Sequence, residues 1–200
     1  MQLVLASGSP RRKEILEGLG LSFEVIVSGA DEESISDRQI APTLYVQELA
    51  LLKASATQKD IRALEKKRRL ILAADTVVCY QGRVLGKPKD EEDAFSMLSM
   101  LSGQTHQVHT GICLMNADTG FAATDFQTTE VVFDELSKET IGAYIKTGEP
   151  MDKAGAYGIQ GIGTIFVKEI RGDYFNVVGL PVRTLNHLLK TEFDTNILTL

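Results

Sequence analysis

The sequence predicts a mixed α/β fold, and three observations support this prediction. Short apolar runs rich in β-branched residues alternate with segments whose apolar residues recur at helical spacing. Turn residues join some of these runs directly, as in hairpins, whereas predicted helices separate others, as in parallel crossovers. The chain has 200 residues, of which 44% are apolar, so it is long enough to bury a core. No repeat or low-complexity linker marks a domain boundary.

The first part of the chain is predicted to form three strands and two helices. The strands run from Gln2 to Ala6, from Phe23 to Val27 and from Leu70 to Tyr80. The first helix begins at Pro10, with Ser9 as its cap, and ends near Gly18 or Gly20. The second helix runs from about Thr43 to Lys59 and carries Lys53.

The rest of the chain continues the same mixture. A turn at Gln81-Gly82 joins the central strand to a short one, and a helix with an acidic first turn then runs to Leu101. Further strands are predicted over Thr105 to Met115, over Gly120 to Phe133 and on both sides of Gly172-Asp173. Helices are predicted after Ser137 and near Pro181, with a glycine-rich loop at 155–163.

Composition excludes several classes of protein. The formal net charge of −6 argues against a general nucleic-acid coat, which would carry a basic excess. Cys79 and Cys113 show no CxxC spacing, so we expect a reducing, cytoplasmic setting rather than a disulfide or zinc scaffold. No apolar run is long enough for a membrane span, and we expect no signal peptide. We interpret the basic run Lys66 to Arg69 as a solvated helix end.

The first candidate site is the strand-turn-helix segment from Leu5 to Arg12. A helix that begins at Pro10 presents unpaired N–H groups and partial positive charge, and Gly8 lets the backbone approach a ligand. The guanidinium groups of Arg11 and Arg12 would add bidentate phosphate contacts. This pattern predicts a phosphate site, and the alternative is a capped helix with two exposed arginines.

Asp75 is the second candidate, because it interrupts the apolar run from Leu72 to Val78. An ionised carboxylate inside a buried strand is costly unless it is paired, hydrogen-bonded or bound to a metal. We therefore expect Asp75 to have a partner, such as a divalent cation or a water molecule that it activates. The alternative is an aspartate at the end of the strand that caps a turn.

Two further segments carry weaker signals. Lys87 lies in Gly86-Lys87-Pro88, at the end of a predicted strand. The segment from Glu149 to Gly161 offers an acid, a base and an amide among glycines that permit tight backbone around a small ligand. His106 and His109 would point to opposite faces of one strand, so we interpret them as structural or surface residues.

Five motifs, in one order, resemble those of the Maf family of nucleotide pyrophosphatases. The resemblance extends from Leu3 to about Leu188. The motifs are Ser7-Gly8-Ser9-Pro10-Arg11-Arg12, Ala74-Asp75-Thr76, Gly86-Lys87-Pro88, Leu101-Ser102-Gly103 and Asp152-Lys153-Ala154-Gly155-Ala156-Tyr157-Gly158-Ile159-Gln160-Gly161. The resemblance implies one α/β domain over residues 1–200, with its core at about 3–188. Its expected form is a mixed twisted sheet flanked by helices, with two lobes around a cleft.

The same resemblance implies an activity. Members of this family hydrolyse nucleoside triphosphates to the monophosphate and pyrophosphate in the cytoplasm, with a divalent metal such as Mg²⁺ or Mn²⁺, and often pair as homodimers. The Ala-Asp-Thr and Tyr-Gly-Ile-Gln-Gly sequences resemble the branch that acts on dTTP and UTP. The expected partners are therefore small nucleotides, including modified pyrimidine nucleotides, with no nucleic acid and no membrane.

Roles for individual residues also follow from the resemblance. Asp75 matches the proton acceptor that activates water, and Glu32 and Asp75 are the expected metal ligands; Asp75 could act as base, as ligand or as both. The positions linked to substrate choice are Arg12, Thr76 and Gln160. The lining of the phosphate site is expected from Ser7, Arg11, Lys53 and Lys87, and Lys153 is a further cation that could converge on a triphosphate. The Gln160 amide, with one donor and one acceptor, suits the edge of uracil or thymine.

Two alternatives stay open at this point. One is a pyrophosphatase for purine triphosphates such as ITP or XTP, which would share the phosphate and metal chemistry but not the pyrimidine edge. The other is a non-enzymatic regulator that binds a nucleotide as a signal, because the family is also associated with septum formation and division arrest. The hairpin from Thr105 to Phe133 would either supply a dimer surface or pack as core sheet.

Overall fold

A mixed β-sheet organises the chain. The computed structural model describes residues 1–35, 40–61 and 68–200. The strands in these ranges are β1 (Gln2–Leu5), β2 (Phe23–Val25), β3 (Arg69–Tyr80), β4 (Arg83–Leu85), β5 (Thr105–Asn116), β6 (Ala122–Phe133) and β7 (Val167–Arg171). The sheet order is β2-β1-β3-β5-β6-β7, and β4 pairs with β3. Because β1 is parallel to β2 and β3 while β3/β4 and β6/β7 are antiparallel, the predicted mixed α/β class is confirmed.

Six α-helices accompany the sheet within the described ranges. They are α1 (Pro10–Gly18), α2 (Pro42–Ile61), α3 (Glu91–Leu101), α4 (Lys138–Ile145), α5 (Tyr174–Val178) and α6 (Val182–Glu192). All but α5 were predicted. Short 3₁₀ turns occupy Glu32–Ile35, Glu149–Asp152, Ala154–Ala156 and Ile162–Phe166. Across the part of the chain that the structure describes, no helix has both the length and the apolar character of a membrane span.

Side-chain oxygens of polar residues cap helices α3 and α4. Asp90 Oδ1 accepts the N–H of Asp93 at 2.8 Å before α3, and Ser137 Oγ accepts the N–H of Thr140 at 3.2 Å before α4. Ser9 precedes α1 as predicted, but its side chain makes no capping hydrogen bond. The hydroxyl of Ser9 therefore does not satisfy the free N–H groups in the first turn of α1.

The segment after Gly172 differs from the prediction. We expected a strand on each side of the Gly172-Asp173 turn, but only β7 is present and the residues after the turn form α5. Asp173 Oδ1 accepts the N–H of Phe175 at 2.8 Å and that of Asn176 at 3.4 Å. An aspartate that binds N–H groups in this way favours the start of a helix, so the predicted second strand is wrong.

The basic run before β3 also differs from the prediction. Lys66 and Lys67 lie outside the described residues. Arg68 is exposed, but Arg69 is the first residue of β3 and only 6% exposed, with its Nη2 3.9 Å from Glu24 Oε2. Arg69 is therefore not part of a solvated helix end.

The chain groups into two compact units. The first unit contains Met1–Asp75, Thr110–Gln127 and Gly179–Leu200, and the second contains Thr76–His109 and Thr128–Val178. The first has an apolar core that includes Val4, Ile71 and Met115. The second has a core that includes Leu98 and Phe133. The single domain and the cleft expected from the family resemblance stay predictions.

Strand β5 is buried along most of its length and lies between β3 and β6 in the sheet. This strand therefore packs as core sheet, which is one of the two roles considered for the hairpin. The expected homodimer stays a prediction.

Gly111 in β5 lets α2 lie directly on the sheet. A Cβ atom at this position would overlap the backbone carbonyl of Val46 and would lie 2.6 Å from the backbone N of Gln47. Only glycine leaves room for this approach. The contact matters for the site because α2 also carries Lys53.

His106 and His109 are buried and hydrogen-bonded. His106 Nε2 lies 2.8 Å from the Tyr157 hydroxyl oxygen, and its ring meets that of Phe133 edge to face at a centroid distance of 4.9 Å. His109 Nδ1 lies 2.8 Å from Thr128 Oγ1. Burial lowers the pKa of both imidazoles, that of His106 to about 4. The folded protein therefore holds His106 neutral at neutral pH, in a structural role.

Protonation of His106 is expected to destabilise the fold in weak acid. Its pKa is about 4 in the folded state and 6.5 when unperturbed, so the unfolded state binds the proton more tightly. Stability should fall as the pH drops from about 6.5 towards 4, by up to about 3 kcal/mol. Urea unfolding from about pH 7.5 to about pH 5 measures this, with His106→Gln as comparison. The stability difference between the two proteins should shrink as the pH falls, and a constant difference would contradict the assignment.

Candidate active site

Asp75 lies in the middle of β3, within the apolar run that drew attention to it. Its side chain is 13% exposed, and Oδ1 accepts a hydrogen bond from Lys53 Nζ at 2.6 Å. Because β3 continues to Tyr80, the alternative of a turn cap at the strand end is wrong. The carboxylate has a partner, as its position requires, and that partner is a lysine.

Lys53 bridges two carboxylates. Besides Asp75, its Nζ lies 3.1 Å from Glu32 Oε1. The Lys53 side chain is mostly buried, whereas that of Glu32 is about half exposed. Its ammonium group is bound to the two acids, and its expected place in the lining of the phosphate site stays a prediction. A charge-assisted contact this short orients the Asp75 carboxylate.

Tyr45 is a member of this cluster that the sequence analysis missed. Burial raises the pKa of its phenol, and the negative charges of Asp75 and Glu32 raise it further. Tyr45 therefore lies within electrostatic reach of both acids. Its spacing of eight residues from Lys53 in α2 places both on one helix face, and that spacing is the signal that could have identified it.

Arg12 is buried in the first turn of α1. Its Nη1 donates to Ser7 Oγ at 3.0 Å, and its Nε donates to the carbonyl oxygen of Gly179 at 2.8 Å. Arg11 beside it is half-buried. The alternative of two exposed arginines is therefore wrong for Arg12, whose guanidinium group is held in one orientation.

Arg12 interacts electrostatically with Asp75 and Glu32. Burial lowers the pKa of Arg12; the negative charge of Asp75 opposes this effect, the positive charge of Arg11 adds to it, and Glu32 again opposes it. An arginine nonetheless stays protonated in proteins. The first unit thus sets fixed positive charge, which suits phosphoryl oxygens, beside a carboxylate that can take up a proton.

Glu32 and Asp75 form a donor set that fits a cation of the Mg²⁺ type. Oxygens of both carboxylates lie within 3.1 Å of one positive centre, the Lys53 ammonium group. Mg²⁺ is usually bound by one or two carboxylates together with substrate phosphates and water. Among residues 1–35, 40–61 and 68–200, no three His, Cys, Asp or Glu side chains are grouped to hold a metal. Such a cation would take its remaining ligands from phosphate or water.

Four other predicted site residues lie in the second unit. Thr76 is half-buried, and Lys87 and Gln160 are exposed. Lys153 is mostly buried, and its Nζ lies 2.5 Å from Asp152 Oδ1. The ammonium group of Lys153 is thus paired with an acid in the structure, and its predicted contact with phosphate stays a prediction.

Glu149 organises the segment that contains Gln160, a role that the sequence analysis did not identify. Its Oε2 accepts the N–H of Ile162 at 2.8 Å, and its Oε1 accepts the N–H of Gly163 at 3.0 Å and the hydroxyl of Tyr144 at 2.9 Å. Burial raises the pKa of Glu149, but these hydrogen bonds outweigh it, so its pKa lies below the ordinary value. The carboxylate is therefore ionised and bound by three donors.

Comparison with known proteins extends over both units. The family model described as "Maf-like protein" matches residues 2–192. The dTTP/UTP pyrophosphatase of Alkaliphilus oremlandii is 49% identical over 98% of this chain and 99% of its own length. The dTTP/UTP pyrophosphatase of Clostridium perfringens is 50% identical over 99% of this chain and all of its own. Among solved structures, the Ham1 protein of Staphylococcus aureus covers 68% of this chain and 73% of its own, with 20% identity and a TM-score of 0.43.

Proposed function

Because this chain belongs to the Maf family, we propose that it hydrolyses dTTP and UTP to the nucleoside monophosphate and pyrophosphate. The broader activity, that of a nucleoside triphosphate pyrophosphatase, follows from full-length relatives of 49% and 50% identity. One observation carries the chemical part of the proposal. Asp75 is a mostly buried carboxylate, held by Lys53 at 2.6 Å and within electrostatic reach of Arg12.

Asp75 is the proton acceptor in this proposal. Its Oδ1 accepts from Lys53, and the carboxylate has a second oxygen, Oδ2, that can take a proton from water. The water oxygen forms a bond to the α-phosphorus while the bond from that phosphorus to the bridging oxygen breaks. Pyrophosphate leaves with the bonding electron pair. A positioned general base of this kind contributes about 10²- to 10⁴-fold.

Arginines stabilise the charge that develops on the phosphoryl oxygens. Arg12 is already oriented by Ser7 and by the Gly179 carbonyl, so little reorganisation is needed during the reaction. Arg11 adds a second guanidinium beside it. Mg²⁺ or Mn²⁺ bound by Glu32 and Asp75 would neutralise phosphate charge and polarise the phosphoryl oxygens.

Gln160 reads the base in this proposal. Its side-chain amide presents one donor and one acceptor type, which pair with the O4/N3 or O2/N3 edge of uracil and thymine. Support comes from the resemblance of its motif and from the names of the relatives. Arg12 and Thr76 also bear on substrate choice, and Lys87 and Lys153 contribute further phosphate contacts.

The expected cellular location and partners follow from membership of the Maf family. The substrate is a free nucleotide of the cytoplasm, with no nucleic acid or membrane partner, and the chain pairs as a homodimer. The exposed position of Gln160 is compatible with a small diffusing substrate.

A nucleotide panel tests the proposed function. Wild-type protein is incubated with dTTP, UTP, 5-methyl-UTP, ITP, XTP and GTP, each with Mg²⁺, with Mn²⁺ or with chelator, and pyrophosphate and monophosphate are measured. We expect kcat/KM for dTTP and UTP to exceed that for ITP and XTP by at least about tenfold, with turnover abolished by chelator. Asp75→Asn protein purified in parallel controls for contaminating phosphatases. Preference for ITP or XTP would indicate the purine alternative, and binding without turnover would indicate a regulator.

A further inference from the structure

Tyr144 connects the Glu149 carboxylate to a rigid helix. The tyrosine lies in α4, is only 3% exposed, and packs edge to face on Phe166 with ring centroids 4.8 Å apart. Its hydroxyl donates to Glu149 Oε1 at 2.9 Å and accepts the backbone N–H of Gly158 at 3.2 Å. A buried aromatic side chain with both hydrogen bonds made is a stable anchor.

The segment 158–163 folds closely around the Glu149 carboxylate. A Cβ atom at Gly161 would lie 2.5 Å from Glu149 Cδ, and one at Gly163 would lie 2.7 Å from the Tyr144 hydroxyl. A side chain at either position would therefore have to displace the Glu149 carboxylate or the Tyr144 hydroxyl. Gly161 and Gly163 therefore allow the backbone to lie close to the side chains of Glu149 and Tyr144.

Gln160 lies between the anchored ends of this segment. Gly158 is bound on one side of it, and Ile162 and Gly163 are bound on the other. The backbone on both sides of Gln160 is thus held by one tyrosine and one glutamate.

We propose that Glu149 is a positioning residue that holds Gln160 in place and thereby sets the selectivity for pyrimidine nucleotides. This inference rests on the proposed function, in which the Gln160 amide reads the base. A displacement of about 1 Å in such a group can cost about 10²-fold. Hydrolysis of poor substrates, whose bases Gln160 does not bind, does not depend on the placement of this amide.

Replacing Glu149 with glutamine removes at least one of its hydrogen bonds to the backbone and changes the side-chain volume little. A glutamine side chain has one acceptor oxygen and one NH₂ group, so it cannot accept hydrogen bonds on both sides as the carboxylate does. At least one of the N–H groups of Ile162 and Gly163 would face a donor. Tyr144→Phe is a second, independent variant, because it keeps the ring and removes the hydroxyl that binds Glu149 and Gly158.

Kinetics of Glu149→Gln, Gln160→Ala and the double variant test the inference. We expect Glu149→Gln to raise KM for dTTP and UTP about tenfold, with kcat and the use of ITP changed by less than about threefold. In the Gln160→Ala background the same change should add less than about twofold, because the amide being positioned is absent. Tyr144→Phe should show the same pattern. Glu169→Gln, which alters an exposed carboxylate paired with Arg171, should leave all substrates unchanged.

Hydrogen exchange followed by mass spectrometry gives a readout independent of turnover. The amides of Ile162 and Gly163 should exchange at least about tenfold faster in Glu149→Gln than in wild type. Unchanged exchange, equal losses for all substrates, or losses that multiply with those of Gln160→Ala would each overturn the inference. If wild type itself shows no preference for dTTP and UTP, the proposed function is wrong. If wild type has the preference and Glu149→Gln keeps it, only the inference is wrong.

Discussion

Replacing Asp75 with asparagine is expected to lower kcat for dTTP hydrolysis by roughly 10²- to 10⁴-fold while the chain stays folded. Asparagine has nearly the same shape, but its amide cannot take a proton from water at neutral pH. Its Oδ1 can still accept the hydrogen bond from Lys53, so the contact between β3 and α2 is retained. Pyrophosphate release at saturating dTTP and Mg²⁺ measures the loss, and circular dichroism checks the fold.

Asp118→Asn is the matched control for this experiment. It removes an exposed carboxylate from a turn of the same unit and should leave kcat within about twofold of wild type. A folded Asp75→Asn protein that hydrolyses dTTP at near the wild-type rate would remove Asp75 from the mechanism.

Replacing Lys53 with methionine should both destabilise and inactivate the protein. The change leaves Asp75, only 13% exposed, without its cation. Removing one partner of a buried pair costs about 3–5 kcal/mol, and the partial exposure of this one favours the lower end. Because the carboxylate also loses its orientation, we expect kcat to fall roughly 10²-fold. Urea unfolding and dTTP hydrolysis measure the two effects, and Lys59→Met, an exposed lysine of the same helix, should change neither.

The double variant Lys53→Met with Asp75→Asn separates charge from packing. The asparagine at position 75 is neutral and needs no cation. We therefore expect the double variant to recover much of the stability that Lys53→Met alone loses, without recovering activity. Strictly additive losses of stability would show that Lys53 stabilises the fold by packing and not by compensating Asp75.

Much of the candidate site could be predicted, because its signals are local. Asp75 stood out since a carboxylate inside an apolar strand needs a partner, whichever residue supplies it. The turn from Ser7 to Arg12 stood out because proline, serine and arginine at the start of a helix suit a phosphate. Whether Arg12 is exposed or buried could not be decided locally, since its partner Gly179 lies 167 positions away.

Two other features could not be predicted from the sequence. Glu149 looked like one acid in a loop, and only its hydrogen bonds to Ile162, Gly163 and Tyr144 reveal a positioning role. The segment from Tyr174 has the composition of a strand, yet its aspartate cap turns it into a helix. When a capping side chain at one end decides whether a segment is helix or strand, the periodicity of its apolar residues alone assigns that segment wrongly.

The sequence by itself determined the order of strands and helices except at α5, the mixed class of the fold and the residues that are able to do chemistry. Periodicity, turn residues and charge act between near neighbours, so they can be read along the chain. Only the tertiary structure decided which of these residues meet. Lys53 reaches Asp75 because Gly111 lets α2 lie against the sheet, and Glu149 reaches the Gln160 segment because glycines leave it room. Contacts of this kind depend on distances in space between residues far apart in the chain, and packing sets those distances.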